Sequence, residues 1–180
     1  MDFEKLSIFR LRQGAHDSAE DGVCAMEAVA WLEGLQHSDH PPCTCPVIAT
    51  FVRRINDEMP DDVRQRLVAY LPRLVGTVSP EHERERGEYL AWRAVTVFAP
   101  LALEVAGLGA WAHKLRSLKA GDWQAAASAA AGAYASAAAA YAWDSAFEAL
   151  DGALSIGPQS PGFSGQAESR IDAYRELLRV

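Results

Sequence analysis

A chain of 180 residues, 49% hydrophobic and 23% charged, has the size and balance to bury a sizeable core, which excludes a disordered or fibrous protein. Its 24 acidic residues outweigh 17 Lys and Arg to leave a net charge of −7, so nucleic acid and anionic membrane surfaces are poor partners. A protein or a small molecule is the partner expected instead.

No apolar run reaches the roughly 18 residues of a membrane span. The first residues, Met1 to Lys5, lack the basic-then-apolar layout of a signal peptide, so a cytoplasmic location is expected. Three cysteines in such a setting are free thiols or metal ligands rather than a disulfide framework. Lysine occurs only at positions 5, 114 and 119 while Ala and Arg abound, a bias that points to a GC-rich bacterial or phage genome.

In chain order, residues 6–12 alternate imperfectly and predict a short strand or an extended arm lying on a helical bundle. Asp21 is a plausible cap for a helix over residues 22–33, placing Cys24 in its first turn and Gly34 at its stop. Residues 35–46 are a loop stiffened by Pro41 and Pro42. A second helix follows over residues 47–58, with Val47, Ile48, Phe51, Val52 and Ile55 on one face. Pro60 opens a third, with Asp61 and Asp62 at the positive end of its dipole and Pro72 and Gly76 at its close.

Ser79-Pro80-Glu81 is a helix start, and the charged stretch to Glu88 is expected to be a solvated face. Pro100 should kink or break this helix, and Gly107 to Gly109 should end it. Trp111, Leu115 and Leu118 mark a short further helix. Alanine then fills most of residues 125–142, so one long helix is expected over residues 122–155, its small side chains allowing a close helix–helix approach around Ala130 and Ala137. A Pro/Gly/Ser loop and an amphipathic helix over residues 166–180 complete the chain. The aromatic stripes are expected in the core, with His82 and His113 on the surface.

Chemistry-competent residues crowd near the N-terminus: His16, Cys24, Glu27, His37, Asp39, His40, Cys43 and Cys45. Three readings stay open. In the first, His16, Cys24, His40 and Cys43 hold a zinc ion, with Cys45 as a substitute ligand; zinc favours four thiolate or imidazole donors from two short clusters, although no C-x-x-C spacing occurs. In the second, Cys24 is a nucleophile activated at a helix start, His40 or His16 is its base, and Glu27 or Asp39 orients that base. Glu27 one turn on would oppose ionisation of the thiol. In the third, Cys24 is a small core residue and Glu27 caps a helix or pairs with Arg53 or Arg54.

The strings Gly14-Ala15-His16, Asp21-Gly22-Val23-Cys24-Ala25-Met26-Glu27-Ala28-Val29-Ala30, Ser38-Asp39-His40-Pro41-Pro42-Cys43 and Pro46-Val47-Ile48 resemble those of a group of uncharacterised proteins from actinobacteria and their phages. Ile55-Asn56-Asp57 and Pro72-Arg73-Leu74-Val75-Gly76-Thr77 extend the resemblance over residues 6–77. It implies a bacterial or phage source and an Ala-rich helical C-terminal half, and it carries no activity.

The fold expected is all-α, a bundle of about six helices with a short N-terminal extended arm, in one domain of a motif-bearing half (residues 1–77) and an Ala-rich half (residues 78–180). The function expected is that of a small binding or scaffold protein, with one zinc ion as its only cofactor; the alternative is a thiol-dependent transferase or hydrolase acting through Cys24.

Overall fold

The computed structural model describes residues 3–119 and 143–178, and these are all-α: the only β pairing among them is an isolated bridge between Leu11 and Val23. None of the described helices is long and apolar enough to cross a membrane. The chain divides into two compact units, one of residues 1–83 and 154–180, the other of residues 84–153.

The first unit is built around α1 (Ala25–Leu32), of whose eight residues all but Trp31 are buried. A helix apolar on every side belongs in the middle of its unit. It packs on α2 (Pro46–Glu58) and on the last helix, Ala167–Leu177. Residues Phe3–Ile8 form 3-10 turns, so the extended part of the N-terminal arm is shorter than the alternation suggested and begins at Phe9. Its register is fixed by Leu11, buried beside Val23, and by Gln65, whose amide exchanges hydrogen bonds with both polar groups of the Leu11 backbone.

The third predicted helix is broken into α3 (Asp61–Arg64), a 3-10 segment (Gln65–Tyr70) and α4 (Leu71–Leu74). Pro72 has no N–H for the Val68 carbonyl, and the Leu71 N–H takes that carbonyl in a tighter turn instead. Gly76, at φ +69°, then ends the run as expected.

The final helix is pinned to α1 by one reciprocal contact. Trp31 Nε1 donates to the Arg170 carbonyl and Arg170 Nε donates to the Trp31 carbonyl, both at 2.9 Å, while the guanidinium lies 4.0 Å from the indole centroid. Tyr174 meets the edge of Trp31 and stacks on Phe9 of the arm. Arg170→Ala removes the cation–π contact and one hydrogen bond but keeps the backbone carbonyl, so it should cost about 1–3 kcal/mol. Loss of amide protection in residues 167–177 by hydrogen exchange would register it; unchanged protection would show that the buried Ala167, Ile171 and Tyr174 hold the helix without it.

The second unit contains most of α5 (Pro80–Arg93), a π-helical segment (Ala94–Phe98), α6 (Ala99–Val105), α7 (Gly109–Arg116) and most of α8 (Trp143–Ser155). The chain neither breaks nor leaves the helix at Pro100. The Ala99 N–H reaches back to the Ala94 carbonyl, a five-residue span that widens the turn before the proline ring. Thr96 Oγ1 donates to the Trp92 carbonyl at 2.8 Å, supporting the widened turn. Val95, Ala99 and Leu115 form a small core with Leu103 and Leu118 against it.

Three expectations need correction here. Arg86 is wholly buried, so residues 81–88 are not uniformly a solvated face. His82 is half-buried against Ser79, whose hydroxyl meets its Nδ1 at 2.7 Å. Trp111 is not core: it is 54% exposed. Most of the expected Ala-rich helix, with Ala130, Tyr134, Ala137 and Tyr141, falls on residues outside those described; residues 143–155 are helical as expected.

Candidate functional site

The fold gathers His16, Cys24, Glu27 and His37 and gives His40, Cys43 and Cys45 other partners. Helix α1 starts three residues later than the sequence suggested, and Cys24, not Asp21, is its cap. The Glu27 N–H approaches Cys24 Sγ at 3.5 Å, and Glu27 Oε2 accepts from the Cys24 N–H at 2.8 Å, a reciprocal capping box with a thiol in place of the usual hydroxyl.

Glu27 does more than cap. Its side chain is 1% exposed, and Oε1 accepts from the His16 N–H at 2.7 Å while Oε2 lies 2.8 Å from His16 Nδ1. His37 Nε2 donates to the His16 carbonyl at 2.9 Å and sits 3.7 Å from Glu27 Oε1. One carboxylate thus ties the residue 14–24 loop to the first turn of α1, and His37 ties the following loop to both. Neither Arg53 nor Arg54 takes part: Arg53 Nη1 donates to the Asp39 carbonyl and Arg54 pairs with Glu58. The bond to Glu27 fixes the proton of a neutral His16 on Nδ1 and makes Nε2 its basic nitrogen. No hydrogen bond joins either imidazole to the Cys24 thiol among the described residues.

Cys24 is buried, and its thiol pKa is pushed up to about 12, chiefly by loss of water; the Glu27 N–H lowers it in part, and the adjacent Glu27 carboxylate adds a smaller raising. A cysteine at a helix start gains nucleophilicity only where water and positive charge reach it. Here neither does.

His40 faces outward, with its side chain 68% exposed, and bonds through Nδ1 to its neighbour Asp39. No hydrogen bond joins it to Cys24 among the described residues. Cys43 is half-buried beside Thr44, and burial raises its thiol pKa as well. Cys45 is buried as the cap of α2, its N–H donating to Thr77 Oγ1 at 2.9 Å. No group of three or more His, Cys, Asp or Glu side chains among the described residues is arranged to hold a metal ion. The expected ligand set of His16, Cys24, His40 and Cys43 therefore finds no common centre there, and the donors that do meet, Glu27 with His16, are engaged with each other.

Two residues that sequence reasoning gave no role complete the junction. Asn56 is fully buried; its Oδ1 accepts from the Ala25 N–H, and its Nδ2 donates to the Arg12 carbonyl and to Asp57 Oδ1. Arg64, also buried, donates to the Asn56 and Met59 carbonyls at the end of α2. An Asn in the last turn of a strongly amphipathic helix was the available signal, because an amide facing the apolar side needs buried partners.

By its architecture this is an all-α protein whose polar cluster is a buried carboxylate latch. No known protein family, curated protein or solved structure matches the chain.

Proposed function

We propose that this is a binding or scaffold protein of bacterial or phage origin, and that its contact surface is the turn joining α6 to α7. The observation that carries the reading is the unbroken exposure of residues 104–111, which include Val105 at 66%, Leu108 at 47% and Trp111 at 54%. Large apolar side chains grouped in one exposed turn are the usual sign of a contact surface, and Trp is among the residues that contribute most at such contacts.

The thiol-dependent alternative gains no comparable support. It needs an accessible, ionisable Cys24 with a base beside it, whereas the thiol is sealed under the capping box.

Placing a photo-crosslinking phenylalanine at position 111 of the full chain, in cells that carry its gene, tests the reading. A discrete crosslinked species is expected from position 111 and not from Arg84, an exposed control in the same unit. Equal yields at both positions, or none at 111, would remove the turn as the contact surface.

A further inference from the structure

The turn has a chemical character that sets it apart from the rest of this acidic chain. From residue 105 through 119 there is no Asp or Glu, while Lys114, Arg116 and Lys119 occur in the same stretch. The one carboxylate at its edge, Glu104, is held by both terminal nitrogens of Arg116. Burial of Leu115 and Ala112 fixes the inner side of α7 and leaves Trp111, His113 and Lys114 outside. The Lys114 ammonium sits 5.1 Å from the centroid of the Trp111 ring. Leu108 caps α7, and the Trp111 N–H donates to its carbonyl at 3.0 Å, so the two apolar side chains flank one turn of backbone.

This arrangement offers an apolar surface with an ammonium, Lys114, set against it, while Glu104 and Arg116 neutralise each other. Accordingly, we propose that the α6–α7 turn docks a short acidic and apolar peptide segment of a partner protein, with Leu108 and Trp111 burying its apolar side chains and Lys114 meeting its carboxylates. The proposal rests on the binding-protein reading above and specifies the partner's chemistry. A second copy of this chain fits less well. Its turn would bring a second Lys114 and His113 to the contact and no unpaired acid. An anionic bilayer fits less well too, since the chain as a whole carries a net charge of −7.

The test is selection of a displayed library of short linear peptides on the immobilised full chain, followed by solution titration of synthesised winners. Recovered sequences should combine bulky apolar residues with Asp or Glu. Their binding should weaken as salt rises, fall roughly thirtyfold in Trp111→Ala, and reverse its charge preference in Lys114→Glu. Because all three side chains are at the surface, far-UV circular dichroism should match the parent, and Leu108→Ser serves as a second variant. Neutral or basic winners, no enrichment, or binding indifferent to Trp111→Ala would overturn the proposal. So would Trp111-dependent binding to phosphatidylserine vesicles, or a Trp111-dependent dimer in sedimentation, each of which assigns the turn to another occupant. If position 111 crosslinks in cells but acidic peptides do not bind, the partner chemistry falls and the binding-protein reading stands; if both fail, both fall.

Discussion

Glu27→Ala should cost the first unit roughly 3–5 kcal/mol, because it strips a buried acceptor from several donors at once. The His16 and Cys24 N–H groups and the His16 ring all turn to this carboxylate from two segments of chain. Without it, the Cys24 N–H is left without a partner in the interior and the His16 N–H loses its acceptor at a part-buried position. Glu27→Gln should restore little. An amide nitrogen in place of Oε1 would point a donor at the His16 N–H, and in place of Oε2 it would face the Cys24 N–H and the His16 ring. Amide exchange locates the effect: the protection of His16 and Cys24 should collapse together, with the midpoint of chemical unfolding shifted downward. If Glu27→Gln retained both protections, the carboxylate would be serving only as a spacer.

The Cys24 thiol should be nearly inert in the folded protein. Raising its pKa from 9.0 to about 12 lowers the thiolate fraction at neutral pH about a thousandfold. Half-buried Cys43 should therefore be alkylated first in the native state, with Cys24 reacting only in denaturant. Mass spectrometry of iodoacetamide adducts over time resolves the order, and rapid modification of Cys24 with the fold intact would revive a nucleophilic role. The same shift has a consequence at alkaline pH. Below pH 9 the thiol is protonated whether the chain is folded or not, and nothing is lost. Between pH 9 and about 12 the unfolded chain releases the proton while the folded chain retains it, so stability falls across that window by an amount on the order of a few kcal/mol. Cys24→Ser should flatten this slope, since a hydroxyl can hold the same cap without ionising.

The elements that could be read from sequence are those whose signals are local. Pro46 and Pro80 open their helices, and Gly34 and Gly76 close theirs at positive φ, because a ring fixed in φ and a residue without Cβ act on their own backbone. The start of α1 lies three residues beyond the one Asp21 suggests, because a thiol is an uncommon cap. The spacing of Cys24 and Glu27 is nevertheless that of a capping box, and reading sulfur as a poorer oxygen would have found it. The roles of Asn56 and Arg86 depend on neighbours from other elements, which one-dimensional periodicity does not contain; Asn56 reaches back 31 residues to Ala25. Within the candidate site, proximity in sequence brought His16, Glu27 and Cys24 together but not His40 and Cys43. A loop with two prolines holds its residues apart as firmly as it could hold them together. Residue type alone points Trp111 to the core, whereas its neighbour Ala112 holds the buried position.

The reciprocal bonds between Trp31 and Arg170 span 139 residues of chain, and the whole second unit is threaded between them. On a ribosome adding about 5–20 residues per second, helix α1 is made roughly seven to thirty seconds before the helix that covers it. For that interval the nascent chain carries an apolar helix without its lid, although α2 and α4 are already there to meet it. Order of synthesis and order of assembly are therefore opposed at this interface. The exposed interval is where a holding chaperone would act, and where slower translation of the intervening residues would cost yield without changing the finished protein.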